Sequence, residues 1–169
     1  MTTFLRLTLT VIGALATAVL LGSGARADTS GLQQRNAEVI RDGFARGVGD
    51  GEGFFSLLAE DVEWTVARTP EPVTYVGRAE FLRAGACPIA ARLDGPIRAE
   101  VQELIATGDV VVARWRGTAT ARDGRPYVNE YAWVMTLRDE RVVKVTAYLD
   151  LIALGELLDR VSPAPTVAW

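Results

Sequence analysis

The sequence predicts an α+β fold: a cone-shaped, curved antiparallel sheet wrapped around N-terminal helices, with a cavity at its open end. Three observations predict it. Helical spacing is confined to the first half of the chain and to a short stretch near its end. Four long β-rich runs of alternating polarity follow one another between Ile97 and Leu151. The connections between those runs are short enough to be hairpin turns. One face of such a sheet has to be covered, and the early helices are the available cover.

The chain opens on a segment that reads as a signal peptide. A short start with Arg6 precedes "LTLTVIGALATAVLL", an uncharged apolar run of 15 residues from Leu7 to Leu21. Ala25 and Ala27 then form an A-x-A cleavage pattern before Asp28. A membrane-spanning helix needs about 20 apolar residues, so the run is short for a permanent anchor. The expectation is export, periplasmic or secreted, after cleavage near Ala27. The domain would occupy residues 28–160, and residues 161–169, "VSPAPTVAW", would form a flexible tail.

Each element follows from its own pattern. "LQQRNAEVIRDGFARGV" places Leu32, Val39, Ile40 and Phe44 on one helical face. "GVGDGEG" lacks the preceding strand and the GK[ST] ending of a phosphate loop, so it reads as a helix–helix turn. Asp50 would cap the helix "GEGFFSLLAED". "VEWTV", Val62 to Val66, alternates as a strand, and "ARTPEPVTYVG", with two prolines, reads as a loop. "RAEFLRAGACPIAARL" has helical spacing that Pro88 kinks or splits. Strands then cover Ile97–Ala106, Val110–Ala121, Pro126–Leu137 and Val142–Leu151, and "LIALGELLDRV" closes the domain as a short helix.

Composition removes several function classes. The chain has no histidine, which excludes Ser-His-Asp and Cys-His catalysis and any His-ligated metal. Its one cysteine, Cys87, cannot form an intrachain disulfide and reads as an inert thiol in a small apolar setting. Without the leader's Arg6 and Arg26, the 18 basic residues fall to 16 against 21 acidic ones, a net charge of −5. That balance argues against nucleic acid and against adhesion to an anionic membrane. No metal or cofactor motif is present, so no cofactor is expected.

Four segments carry a family resemblance: "LLAEDVEWTV", "YVGRAEFL", "GDVVVARWRGTATARDGRPY" and "NEYAWVMTLRDERVVKVTAYLD". From Leu32 to Leu158 the chain resembles the nuclear-transport-factor-2-like superfamily, in its SnoaL-like, ketosteroid-isomerase-related branch. The resemblance implies the cone fold and leaves the reaction open, because this fold carries isomerases, epoxide hydrolases, cyclases and non-catalytic modules. Where ketosteroid isomerases place their base, oxyanion tyrosine and second acid, this chain has Val66, Asp42 and Trp133. Where limonene epoxide hydrolases place one Asp of their Asp-Arg-Asp set, it has Ala147.

Hairpin register sorts the sheet into faces. Two-residue turns at Asp123-Gly124 and Asp139-Glu140 set Gly117 opposite Glu130 and Glu130 opposite Leu149. The inner face then holds Ala113, Trp115, Gly117, Glu130, Ala132, Val134, Val145, Ala147 and Leu149. The outer face holds Arg114, Arg116, Asn129, Tyr131, Trp133, Lys144, Tyr148 and Asp150. Trp64 joins the inner side if Val62 and Val66 are core. A two-residue Thr107-Gly108 turn adds Arg98, Glu100, Gln102 and Leu104, and a three-residue loop reverses them. The expected site is an aromatic cavity lined by Trp64 and Trp115, with Arg98 or Glu100 near an inward Glu130. Three functions fit: binding of a small hydrophobic molecule with Glu130 as polar anchor; cofactor-independent isomerase, cyclase or hydrolase chemistry with Glu130 as catalytic acid or base; and a non-catalytic interaction domain. A homodimer through the outer sheet face is expected in each.

Overall fold

The computed structural model describes residues 21–49 and 51–165. The predicted leader up to residue 20, the predicted cap Asp50 and the end of the tail, residues 166–169, lie outside the described residues. Among the described residues no helix is long and apolar enough to cross a membrane.

The first helix, α1 (Leu21–Ala45), packs Asn36, Ile40 and Phe44 inward at four-residue spacing. Leu32, at the end of that stripe, is exposed. Asn36 donates to the Gly108 carbonyl at 3.2 Å, which fixes the helix to the sheet. After α1, Val48 and Ile97 exchange two backbone hydrogen bonds of 3.0 and 2.6 Å, so the glycine-rich turn is stitched to the base of the sheet. The helix expected over "GEGFFSLLAED" shrinks to a 3-10 turn, Phe54–Leu57, because strand pairing begins at Leu58.

The sheet has six strands: β1 (Leu58–Val66), β2 (Val73–Val76), β3 (Arg98–Thr107), β4 (Val110–Thr120), β5 (Pro126–Arg138) and β6 (Arg141–Leu149). Their spatial order is β2-β1-β6-β5-β4-β3, and the curved sheet does not close. All neighbours are antiparallel except β1 and β6, which run parallel. β2 falls within the segment read as a loop. Its four residues, Val-Thr-Tyr-Val, alternate and pair with the end of β1, where the Thr65 and Thr74 hydroxyls meet at 2.9 Å.

Between β2 and β3 lies a helical stretch made of α2 (Arg78–Glu80), a π-helical segment (Phe81–Ala86) and α3 (Cys87–Ala90). Pro88 has no N–H to return to the preceding turn, and the helix widens just before it. The last helix, α4 (Leu151–Arg160), is capped by Asp150, whose Oδ1 accepts from the N–H groups of Ile152 and Ala153 at 2.8 and 3.1 Å. The tail is tied down at its start: Val161 is buried and its carbonyl accepts from Arg92 Nε at 2.8 Å, while Ala164 N donates to Ala91 O at 2.7 Å.

Candidate functional site

The placement of every site residue depends on register. Asp139 and Glu140, with φ of 51° and 61°, form the expected two-residue turn, and Arg138 faces Arg141. The other turn differs. Arg122, Asp123 and Gly124 form a three-residue loop closed by Ala121 and Arg125, with Gly124 at φ 80°. The Asp123 carboxylate accepts from Arg125 N at 3.1 Å and pairs with Arg160 on α4, which tightens the loop in that form. The Arg160 hydrogen bond holds the Asp123 carboxyl below its ordinary range against a smaller desolvation effect, with a lesser contribution from the Arg125 N–H.

The longer loop slides β5 by one residue against β4, so Gly117 faces Asn129 and Arg116 faces Glu130. A bulge at Val143 slides β6 by one residue more, because Leu137 faces Val142 while Thr136 faces Lys144. The two shifts add to two residues between β4 and β6, one full side-chain period, so the facing of β6 is unchanged. Trp115 on β4 and Ala147 on β6 face inward as expected, and every residue of β5 is reversed.

Glu130 is therefore on the outer face, 54% exposed at its side chain and 3.1 Å from Arg116 Nη1. Its expected inward catalytic or anchoring position is overturned. Ala132 and Val134 turn outward with it, while Asn129, Tyr131 and Trp133 turn inward and are buried. In β3 the turn falls at Gly108-Asp109, since Thr107 pairs with Val110, and a bulge at Gln102 swaps the faces beyond it. Leu104 points inward as expected, and Arg98 and Glu100 are exposed away from the cavity. Of the five expected ligand-binding residues, Trp64 and Trp115 line the cavity, and Arg98, Glu100 and Glu130 do not.

The cavity measures about 320 Å³. Its wall is two aromatic stacks joined by one ring. Trp64 lies on Phe81 with centroids 4.0 Å apart and planes 18° apart. Trp115 lies on Tyr131 at 4.0 Å and 8°. Trp133 presents an edge to both, at 4.9 Å from Trp64 and 4.8 Å from Trp115. Gly117 makes room for the second stack: a Cβ there would come within 2.8 Å of both Ile97 and the Tyr131 ring. Ile89 and Leu93 from the helical region, and Leu151, Leu154 and Leu158 from α4, complete the apolar lining. The Trp115 indole N–H is buried with no hydrogen-bond partner among the described residues. That costs about 1–3 kcal/mol, which burying an indole of about 200 Å² at about 25 cal/mol/Å² outweighs.

One hydrogen-bond chain reaches the cavity. Asn129 Nδ2 donates to the Asp150 carbonyl at 2.9 Å and to the Tyr127 hydroxyl at 3.0 Å; Asn129 Oδ1 accepts from Asp150 N at 2.9 Å. The Tyr127 and Tyr131 hydroxyls are 3.1 Å apart. Tyr127 is buried, and the Tyr131 oxygen is the acceptor its proton can reach. The chain connects Asn129 through Tyr127 to Tyr131; one proton lies between the two phenols, and when Tyr127 supplies it the Tyr131 proton is left for a cavity occupant. Burial, and secondarily Tyr127, pushes Tyr131 well above an ordinary phenol, and burial likewise raises Tyr127. Tyr131 is thus a neutral hydrogen-bond donor near pH 7 and not a base. Among the described residues no Asp, Glu or Cys lines the cavity, and no cluster of acids or cysteine is arranged to hold a metal.

Sequence pattern held a signal for the missed residues. Tyr127, Asn129, Tyr131, Trp133, Met135 and Leu137 alternate as one unbroken set, and the intervening set is smaller and more polar. Read by bulk rather than from the turn, β5 faces the way the structure shows.

Fold and cavity together define a sheet-and-helix cone around an aromatic pocket. The SnoaL-like domain profile matches residues 38–145, and the chain belongs to that family. Among solved structures, TerC co-crystallised with polyporic acid is similar at 26% identity, with 74% of this chain and 98% of that one covered and a TM-score of 0.57. A SnoaL-like polyketide cyclase, so described for Jannaschia sp. CCS1, is similar at 17% identity, covering 78% and 96%, with a TM-score of 0.59. A phenazine biosynthesis-related protein of Pseudomonas aeruginosa is similar at 14% identity, covering 85% and 96%, with a TM-score of 0.64. No curated protein matches the chain.

Proposed function

We propose that this chain binds a small, planar, largely apolar molecule in the aromatic cavity, with Tyr131 donating a hydrogen bond to an oxygen of that molecule. The observation that carries the reading is the pairing of an apolar cavity with a buried phenol: of the two tyrosines that line it, Tyr75 is half-buried and Tyr131 is buried at the end of a hydrogen-bond chain. Its volume, about 320 Å³, lies at the low end of the range of ligand sites. SnoaL-like domains commonly bind small molecules, and the crystallisation of TerC with polyporic acid supports a pocket of this kind. Binding is favoured over acid–base turnover because the described lining residues supply a neutral donor and no carboxylate.

The test uses the protein's own reporters. Three of its four tryptophans line the cavity. Titration with a planar ketone such as fluorenone should quench their emission saturably, and Tyr131→Phe should weaken the binding. Quenching that never saturates, or that is unchanged by filling the cavity with Ala147→Phe, would refute the reading.

We also propose export, on the apolar run and the Ala25/Ala27 pattern; mass spectrometry of native material should find a chain starting near Asp28. The homodimer is retained as a proposal with its contact residues revised. Tyr131 and Trp133 are inside, and the outer face instead carries the uncharged row Ile105, Val112, Val134, Thr146, Thr65 and Thr74 across all six strands. Charges beside the row pair within the sheet, as Glu103–Arg114 and Lys144–Glu63. That leaves a neutral stripe suited to a second copy.

A further inference from the structure

We propose that the occupant of the cavity is an organic acid, with a planar apolar body held by the rings and an anionic group held by Arg68. This rests on the binding reading above and narrows it to a ligand class. Arg68 is the one charged residue among the described lining residues, so no described acid lines the cavity beside it. It makes no ion pair and no side-chain hydrogen bond among the described residues; other arginines, Arg98 and Arg122 among them, also lack a described acid partner, but they do not line the cavity.

Its position follows from the sheet. β1 runs parallel to β6 with Val66 abreast of Ala147, and the ladder continues through the hydrogen bond from Ala67 N to Ala147 O at 2.9 Å. Arg68 therefore comes abreast of Leu149, which faces Tyr131, which faces Trp115. All four belong to one cross-strand row at the rim of the cavity, and all four line it. Arg68 stands two strands from Tyr131, about 10 Å at about 4.8 Å per strand. A flat molecule lying along this row would meet the Trp115–Tyr131 stack with its body and the guanidinium with its edge.

The physics selects an anion. An unpaired guanidinium beside a low-dielectric wall is poorly screened on that side, and a carboxylate, sulfonate or enolate matches its fork of donors. A neutral ligand would leave the cation unused, and a cationic ligand would be repelled. Arg68 is also exposed, so an anion there keeps partial hydration and the expected effect is moderate.

The experiment compares two fluorescent probes with the same anilinonaphthalene body: neutral N-phenyl-1-naphthylamine and 8-anilinonaphthalene-1-sulfonate. Each is titrated into the purified protein, and the neutral probe is then used to displace the sulfonate. The expected result is saturable binding of both, mutual displacement, and about fivefold tighter binding of the sulfonate, within the range for a partly exposed ion pair. Arg68→Gln should remove that preference, and high salt should shrink it. Arg122→Gln makes the same charge change on a hairpin loop outside the cavity and should leave the preference in place. Equal affinities in the wild type, or a preference that survives Arg68→Gln, would overturn the inference while leaving the cavity as a binding site. Failure of both probes to bind would overturn the inference and the binding reading together.

Discussion

Trp133 and Val134 are neighbours in β5, and they lie in different environments. Trp133 is 4% exposed and touches ring systems from α1, the 3-10 turn, β1 and β4. Val134 is 36% exposed and sits in an uncharged row on the opposite face. The concave face carries the molecule's aromatic cohesion and its cavity. The convex face carries paired charges and β-branched residues that no described element covers. The same strand therefore serves folding and binding on one side, and solvent or a second copy on the other.

The comparison is broken most severely at Trp133. Trp133→Glu would bury an unpaired carboxylate among rings and should cost more than about 4 kcal/mol, the range of the most disruptive substitutions. The expected outcome is loss of the cooperative denaturation transition. Val134→Glu makes the same change one residue on and should alter stability by less than about 1 kcal/mol, since the site is partly open to water. Its effect should appear in sedimentation, as dissociation of the proposed dimer. A folded Trp133→Glu protein would mean that β5 faces the other way.

Asn129 tests how the concave face is tied to α4. Its side chain makes both bonds to the Asp150 backbone and one to Tyr127, and Asp150 in turn caps α4. Asn129→Ala removes all three, while Asp150 N keeps its bond to Glu130 O, Asp150 O its bond from Leu154 N and the Tyr127 hydroxyl its bond with Tyr131, so a loss of about 1–2 kcal/mol is expected. Hydrogen exchange should quicken at Ile152 to Leu154 before it does in β4. A variant that loses stability with no local change at α4 would separate the cap from the network.

Tyr131 sharpens the comparison by chemistry. Tyr131→Phe should lower affinity for a carbonyl-bearing ligand about five- to tenfold, the worth of one hydrogen bond of about 1–1.5 kcal/mol. The phenols also set a pH limit. Their folded-state pKa values are raised, so the unfolded chain releases these protons first. Their contribution to stability is whole below the ordinary phenol pKa of about 10 and is lost as pH rises through the folded values. Denaturation midpoints should fall above pH 10, with the fall reduced in Tyr131→Phe.

The sequence made the fold class plain because it depends on long alternating runs and short connections, which tolerate local error. It also placed Trp64 and Trp115 correctly. The register of β5 was less legible for a specific reason. "RDGR" suits either a two-residue turn or a three-residue loop with glycine left-handed, and the choice rests on Asp123 reaching Arg160, 37 residues away. The bulges at Gln102 and Val143 have no glycine or proline to mark them. Arg68 escaped notice because it lies past the end of its strand, and its place at the cavity rim comes from parallel pairing with β6, which no local pattern announces.

The smallest expected effect is the most specific test of that corrected register. Glu130 and Arg116 form an ion pair with side chains 54% and 46% exposed. Exposed pairs contribute about 0–1 kcal/mol, because water screens the charges and fixing two long side chains costs entropy. Glu130→Gln retains a hydrogen-bonding side chain of the same shape on an open surface, so its stability should lie within about 0.5 kcal/mol of the wild type. Affinity for both naphthalene probes should be unchanged, since Glu130 faces away from the rings and from Arg68. An inward acid would behave otherwise: removing its charge would relieve desolvation, raise stability, and strengthen binding of the sulfonate by removing a repulsion. Paired measurements of denaturation and of sulfonate binding therefore separate the two faces at a single residue. A rise in both would return Glu130 to the cavity.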